Sequence, residues 1–413
     1  TEHTLSLHDA LPISPIHLPH CVVGVLGGGQ LCRLLVMAAR RMNIRTIVWT
    51  GGLEAPARGV ADEVIDLPFD HPRALELFCG VATVATVEFE NIPLPVLHAV
   101  AEKLPLYPSA ECVAICQNRW REKEFLRSHG FPCAPFALVS SSKELAAARH
   151  LLGPGVLKTS DSGYDGHGQI RFREGDDPER IWREFDSPRG VFEKWIAFAK
   201  ELSVIVVRDK EGETVCYDPA ENQHRDHILE ISIVPARIAP SVAESAAAMA
   251  CRLAESLDYR GTMGVEFFLR EDGELLVNEI APRPHNSGHH TLDACVTSQF
   301  EQQLRAVIGL PLGSVRLLSP VAMLNLLGDL WLGNDEPPDW RAVFEDGAAC
   351  LYLYGKRHAK RRRKMGHVTI LGDTADEALS RASSLKARWL EDSSTTQWRV
   401  VSGSARGEND RGP

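Results

Sequence analysis

Residues 261–291, GTMGVEFFLREDGELLVNEIAPRPHNSGHHT, constrain this chain more than any other stretch. Two largely apolar runs, GVEFFLR and ELLVNEI, flank Asp272-Gly273. Asp-Gly between such runs signals a two-residue hairpin. That turn predicts the register: Glu271 faces Glu274, and by the same count Glu266 faces Glu279 on one side of the hairpin. Carboxylates paired across strands repel unless something offsets them. A divalent cation is the obvious offset, and magnesium favours carboxylate oxygens while sharing its shell with substrate phosphates. The plain alternative is a solvated acidic pair at a sheet edge. Apolar Val265, Phe267 and Val277 argue instead for buried strands.

The loop that follows, Ala281-Pro282-Arg283-Pro284-His285-Asn286-Ser287-Gly288-His289, sets a cation, an imidazole and an amide between rigid prolines, just past that pair. NEIAPRPHNSGH resembles the ATP-grasp superfamily and, within it, the N5-carboxyaminoimidazole ribonucleotide synthase family, ATP- and bicarbonate-dependent enzymes of purine biosynthesis. The resemblance runs from about Val22 to Leu390. The related formate-dependent glycinamide ribonucleotide transformylases carry Asp-Thr where Asn286-Ser287 stand here. The resemblance implies an α/β and α+β chain: a Rossmann-like N-terminal domain over residues 21–111, an ATP-grasp domain over 112–311 and a small substrate-phosphate domain over 312–400. It further implies a cytoplasmic homodimer that uses ATP, bicarbonate and aminoimidazole ribonucleotide, with magnesium, or manganese in its place, as the metal.

Composition agrees with a multidomain globular chain. Its 413 residues exceed one typical core, and 44% hydrophobic with 24% charged residues is ordinary for such a protein. A net charge of −10 argues against nucleic acid as a partner. No apolar run is long enough for a membrane span. The ten cysteines are scattered without a CxxC pair, which suits a reducing compartment. Residues 4–13, TLSLHDALPI, match what a common sequencing adaptor encodes in frame. Residues 1–20 are therefore read as an artefact or leader and set aside, and the polar residues 401–413 as a disordered tail.

Along the chain, a strand at residues 22–26, the turn Gly27-Gly28-Gly29-Gln30 and a helix at 31–42 make a phosphate-binding start. No acidic residue ends the second strand, at 45–49, so a nicotinamide cofactor is not expected. A third apolar strand ends in Glu88-Phe89-Glu90-Asn91, and ligands bind at strand ends in such sheets. Lys158 closes a strand before the loop TSDSGYDGHGQ, whose glycines free backbone amides to close over phosphates. Further on come VFEKWI at 191–196, ENQH at 221–224 placed between two strands, a helix at 242–257, and the basic segment around Lys356 and Arg363.

The roles of these residues come from the resemblance. It assigns Lys123, Lys158, Glu193, Lys194, Trp195, Ile196, Glu201 and Asn278 to ATP. It assigns Gly29, Gln30, Glu88, Tyr164, Asp165, His167, His224, Lys356 and Arg363 to the ribonucleotide, the last two to its 5′-phosphate. Arg283, His285, Asn286 and Tyr164 are its catalytic group, and Glu266 and Glu279 its metal ligands. Relatives carry lysine or arginine where His167 stands, and often glycine where Cys32 stands. Three readings compete: a transformylase-like enzyme using formate, a non-catalytic nucleotide sensor, and a zinc site on His285, His289 and His290.

Overall fold

The structure is a computed structural model that describes residues 21–161, 168–332 and 338–402, with side chains described as far as Trp389. Residues 1–20 and 403–413, and the expected contacts Tyr164, Asp165 and His167, lie outside the described residues.

Strand β1 (Val22–Leu26) is buried on both faces, as a strand between two layers must be. It lies parallel to β2 (Arg45–Gly51), with β3 (Glu63–Pro68) and β4 (Val84–Val87) completing the order β3-β2-β1-β4. Helix α1 (Gln30–Arg41) crosses between the first two strands and buries Leu31, Leu34, Leu35 and Val36 along one face. This is the Rossmann-like arrangement that the resemblance implies.

A second sheet, wholly antiparallel, holds β5 (Phe136–Val139), β6 (Gly155–Thr159), β7 (Gln169–Phe172) and β8 (Gly190–Lys194) in the order β5-β8-β6-β7. Helix α2 (Arg119–Ser128) precedes it, capped by the Asn118 side chain, which accepts from the Arg121 amide at 3.0 Å.

The third sheet has nine strands and begins with β9 (Lys200–Arg208), β10 (Thr214–Cys216), β11 (Ala220–Arg225) and β12 (Ile228–Val234). Helix α3 (Pro240–Ser256) packs its alanine-rich face on it and leads into the hairpin β13 (Gly261–Leu269) and β14 (Leu275–Ala281). Helix α4 (Gln299–Ile308) returns to touch the first domain at α1. The C-terminal segment adds β15 (Val321–Leu327), β16 (Ala349–Leu353) and β17 (Lys364–Leu371), covered by helix α5 (Ala375–Ser402). These last strands do not form a sheet of their own. β15 pairs with β12, so one sheet runs β14-β13-β9-β11-β12-β15-β17-β16.

Two expectations change here. Residues 221–224 lie inside β11 rather than between strands. The hairpin turn is also longer than two residues: Arg270 pairs with Glu274, its amide donating to the Glu274 carbonyl at 2.9 Å, so Glu271, Asp272 and Gly273 form the loop. The ladder therefore starts one residue out of the expected register, with Leu269 opposite Leu275 and Phe267 opposite Val277. A bulge then takes up Asn278 and restores the expected partners, Glu266 opposite Glu279. The carboxylates face each other because two departures cancel.

Candidate active site

Helix α2 buries Arg119, Glu122, Lys123 and Leu126, the one-face spacing of an amphipathic helix, but three of the four are charged. Buried charge is costly unless paired, so such a face marks a built site. Lys123 Nζ donates to the Asn278 carbonyl at 2.9 Å and lies 3.4 Å from Glu193 Oε2. Lys158 Nζ reaches the same Glu193 oxygen at 3.0 Å. Burial raises the Glu193 pKa, but Lys123, Lys158 and Arg119 outweigh it and bring it to about 2. Burial also lowers the pKa of Lys158, against the pull of Glu193. Lys123 has no exposed surface, so its ammonium braces the bulge and Glu193 rather than facing the cleft. Lys158, at the end of β6, stands nearer the opening.

The bulge residue carries its own signal. Asn278 Oδ1 is buried without a hydrogen-bond partner, as are Arg119 Nε, Ser160 Oγ, Glu193 Oε1 and both ends of the Asn286 amide. Such orphaned atoms are rare in folded proteins and mark where a ligand would bond. Arg119 Nη1 approaches Glu279 Oε2 at 3.7 Å. Glu122 accepts from the Ile280 amide at 3.3 Å, and burial, partly offset by Lys123, pushes its carboxyl up to about 8.

Glu266 and Glu279 open onto this cleft, their side chains 23% and 39% exposed. Burial first and the Glu279 charge second push the Glu266 pKa up to about 7, although His224 pulls it down. A carboxylate so placed gains from a cation, and two hard oxygen donors beside a phosphate site suit a divalent one. Among the described residues no three His, Cys, Asp or Glu side chains gather as metal ligands, so such an ion would complete its shell from the substrate. The zinc alternative thus has no ligand set: His290 Nδ1 sits on the Ser287 carbonyl at 2.9 Å, and His289 packs against the His367 ring.

Beyond β14 the loop folds back on the sheet. Arg283 forms a two-point pair with Glu90, Nε to Oε2 at 2.5 Å and Nη2 to Oε1 at 3.2 Å. Burial alone would raise the Glu90 pKa, but Arg283 takes it below the usual carboxylate value. His285 is pinned through its backbone: its amide donates to Gln299 Oε1 at 2.9 Å, and Gln299 Nε2 donates to its carbonyl at 2.7 Å. Its Nε2 lies 3.3 Å from Glu266 Oε1. The facing carboxylates and the loop after β14 therefore meet directly.

On the first domain, Glu88 is buried at the end of β4, and its Oε2 accepts the Gly29 amide at 2.8 Å. A Cβ at Gly29 would sit 2.2 Å from Glu88 Oε1, so only glycine admits the carboxylate there. The anion at the start of α1 is thus a side chain of the protein itself. Burial raises the Glu88 pKa despite the Gly29 hydrogen bond and the Arg283 charge. Gln30 follows as the first, half-buried residue of α1. From the loop between β16 and β17 come Lys356, whose Nζ donates to the Lys364 carbonyl at 2.6 Å, and Arg363, which pairs with Glu54. Burial and the neighbouring Arg363 lower the Lys356 pKa to about 8.

Glu201 and His224, expected on different ligands, share one hydrogen bond of 2.6 Å. Burial opposes the charge on His224, but Glu201 raises its pKa. At the end of β8, the Lys194 and Trp195 amides donate to the Pro135 and Pro154 carbonyls, both at 2.8 Å. Trp195 is 41% exposed, with Arg171 stacked on it at 4.0 Å. Sequence reasoning passed over Arg119 and Glu122, and placed Glu90 at a strand end without its partner. The charged stripe at one-face spacing was visible for the first two; nothing in the sequence signals that Glu90 meets Arg283.

Comparison with known proteins gives a consistent picture. Family models match residues 21–117 as a ribonucleotide synthetase preATP-grasp domain, 124–300 as an ATP-grasp domain, and 321–381 as a phosphoribosylaminoimidazole carboxylase C-terminal domain. The chain is 42% identical over 360 residues to the N5-carboxyaminoimidazole ribonucleotide synthase of Bacillus subtilis, covering 87% of this chain and 93% of that one. An ADP complex of an N5-carboxyaminoimidazole ribonucleotide synthetase superposes with a TM-score of 0.85 at 41% identity, over 91% of this chain and 98% of the other. The Aspergillus clavatus synthase bound to ADP and 5-aminoimidazole ribonucleotide gives 0.83 at 32% identity, over 91% and 100%.

Proposed function

The chain belongs to the N5-carboxyaminoimidazole ribonucleotide synthase family of ATP-grasp ligases, and on that premise we propose how its own residues carry the reaction. The reaction is ATP-dependent carboxylation of the exocyclic amine of aminoimidazole ribonucleotide, with ADP and phosphate released. Bicarbonate is the carbon source, activated as carboxyphosphate. The observation that carries the site assignment is the pairing of Glu266 with Glu279, joined through Arg119 at Glu279 to the buried cluster in which Lys123 and Lys158 hold Glu193.

Lys158 and Arg119 face the ATP phosphates, with Lys123 and Glu193 holding them in place. The carbonyls beyond β8 and the Glu201–His224 pair take the adenine and ribose. Magnesium, or manganese in its place, would be held by Glu266 and Glu279 and supplies charge neutralisation to the phosphoryl groups. Arg283, oriented by Glu90, and the unpartnered Asn286 amide hold bicarbonate and then carboxyphosphate next to His285. Glu88 accepts a hydrogen from the substrate amine, and Lys356 with Arg363 binds the 5′-phosphate once Glu54 gives way. A planar guanidinium suits that phosphate. The resemblance assigns Tyr164, Asp165 and His167, which lie outside the described residues, to the ribonucleotide. The family resemblance also implies a homodimer in the cytoplasm, checked by sedimentation; among the described residues no helix is long and apolar enough to cross a membrane.

ADP release measured with each substrate omitted tests the reading. Release should need both bicarbonate and aminoimidazole ribonucleotide. Dependence on formate with glycinamide ribonucleotide would point to transformylase chemistry instead, and nucleotide binding without turnover to a sensor.

A further inference from the structure

Nothing in the reaction explains the row of buried polar side chains crossing the centre of the large sheet behind His285. Ser203 on β9, Asn222 on β11, Ser232 on β12 and Ser287 in the loop are 1%, 6%, 0% and 0% exposed. Polar groups at a sheet centre persist when every member is bonded. Here they form one chain. Ser232 Oγ donates to Asn222 Oδ1 at 2.8 Å, Asn222 Nδ2 donates to Ser203 Oγ at 2.9 Å, and Ser203 Oγ donates to Ser287 Oγ at 2.7 Å. Ser287 Oγ then lies 2.8 Å from His285 Nδ1.

We propose that this relay fixes the tautomer of His285, placing its hydrogen on Nε2, toward Glu266. A hydroxyl has one hydrogen to give. Ser203 spends its hydrogen on Ser287. The Ser287 hydroxyl is fully buried, and among the described residues His285 Nδ1 is the one acceptor left within its reach, so its own hydrogen goes there rather than unpaired. Nδ1 is then the acceptor, and the neutral ring carries its hydrogen on Nε2, 3.3 Å from Glu266 Oε1. Asn222 sets the direction, because only its amide accepts at one end and donates at the other. Turned over, the amide would accept from Ser203, Ser287 would donate to Ser203, and His285 would hold its hydrogen on Nδ1. The backbone of His285 is held separately by Gln299, so the relay governs the position of the hydrogen rather than of the ring. Asn222, Ser203 and Ser287 are positioning residues in this sense. Their value to turnover rests on the assignment of His285 to the reaction site.

Asn222→Asp tests it. The shapes match, but an ionised carboxylate only accepts, so it draws the Ser203 hydrogen and reverses the relay. The readout is the 15N spectrum of the histidine-labelled full-length chain at about pH 8.5, well above the ordinary imidazole value of about 6.5. The His285 signal is assigned by its loss in His285→Gln. The wild type should show the Nε2–H form and Asn222→Asp the Nδ1–H form. Its kcat for ADP release should fall roughly tenfold or more, the scale of a misdirected proton donor or acceptor, with KM for ATP little changed. Ser287→Ala removes the donor without touching the sheet and should give a mixture of tautomers. An Nδ1–H wild type, or one unchanged form in all three proteins, overturns the proposal. A tautomer that switches as expected, while His285→Gln turns over normally, upholds the relay and removes His285 from the reaction.

Discussion

Without metal, the chain should lose stability between pH 5.5 and 8 through one side chain, Glu266. Burial and the facing Glu279 carry its pKa from 4.5 to about 7. The folded state therefore holds that proton more tightly than the unfolded chain does. Stability from this source is complete below the unfolded value and is lost as pH rises through 7. At about 1.4 kcal/mol per pH unit the full effect is about 3 kcal/mol, and about 2 kcal/mol of it falls between pH 5.5 and 8. Its side chain is 23% exposed, so solvent screens only part of the effect. Glu266→Gln is neutral throughout and isolates the contribution from every other titrating group. Urea unfolding of both proteins in chelator, at several pH values, is the assay. The wild type should decline by about 2 kcal/mol relative to the variant, and millimolar magnesium should cancel the difference at the high-pH end. Parallel stability curves, or a magnesium effect that shrinks as pH rises, would refute the argument.

Other expectations follow from the same geometry. Glu279→Gln should abolish ADP release while leaving the circular dichroism spectrum unchanged; near-normal turnover at ordinary magnesium would contradict it. Arg363→Ala should raise KM for the ribonucleotide roughly ten- to hundredfold with KM for ATP unchanged, the loss of one charge-assisted phosphate contact. Burial takes His290 to about 4. Its neutral form therefore contributes stability above the ordinary value of about 6.5, and this is lost as pH falls toward 4. His290→Gln should flatten acid unfolding over that range, and an unchanged acid slope would count against it. His167→Lys should flatten the pH dependence of kcat/KM between roughly pH 6 and 8, where a histidine titrates; superimposable profiles would show that His167 has no electrostatic part.

How much of this was legible in the sequence depended on whether the signal was local. The strand, glycine turn and helix that open the first sheet were legible because a continuous apolar run and turn chemistry act over a few residues. The facing of Glu266 and Glu279 was read correctly from a turn that proved one residue longer, with Asn278 absorbing the error. Bulges have no composition of their own, so counting across a hairpin could not find it. That β15 would join β12 was equally invisible, because it joins residues some ninety positions apart in the chain. The resemblance assigns Lys123 to ATP, but it could not show that the helix phase sets its ammonium against Glu193 and the bulge carbonyl. The Glu90–Arg283 pair and the relay behind His285 join residues from separate elements, and only the fold brings them together.

The central claim is that bicarbonate is activated at the expense of ATP in the cleft between Lys158, Glu266 and Arg283. Bicarbonate carrying both 13C and 18O tests it in one incubation with ATP and aminoimidazole ribonucleotide. Attack by a bicarbonate oxygen on the γ-phosphate leaves that oxygen in the released phosphate and the carbon on the ribonucleotide. One 18O per phosphate formed is expected, matched by 13C in the product. Unlabelled phosphate, or ADP formed without labelled product, would contradict it.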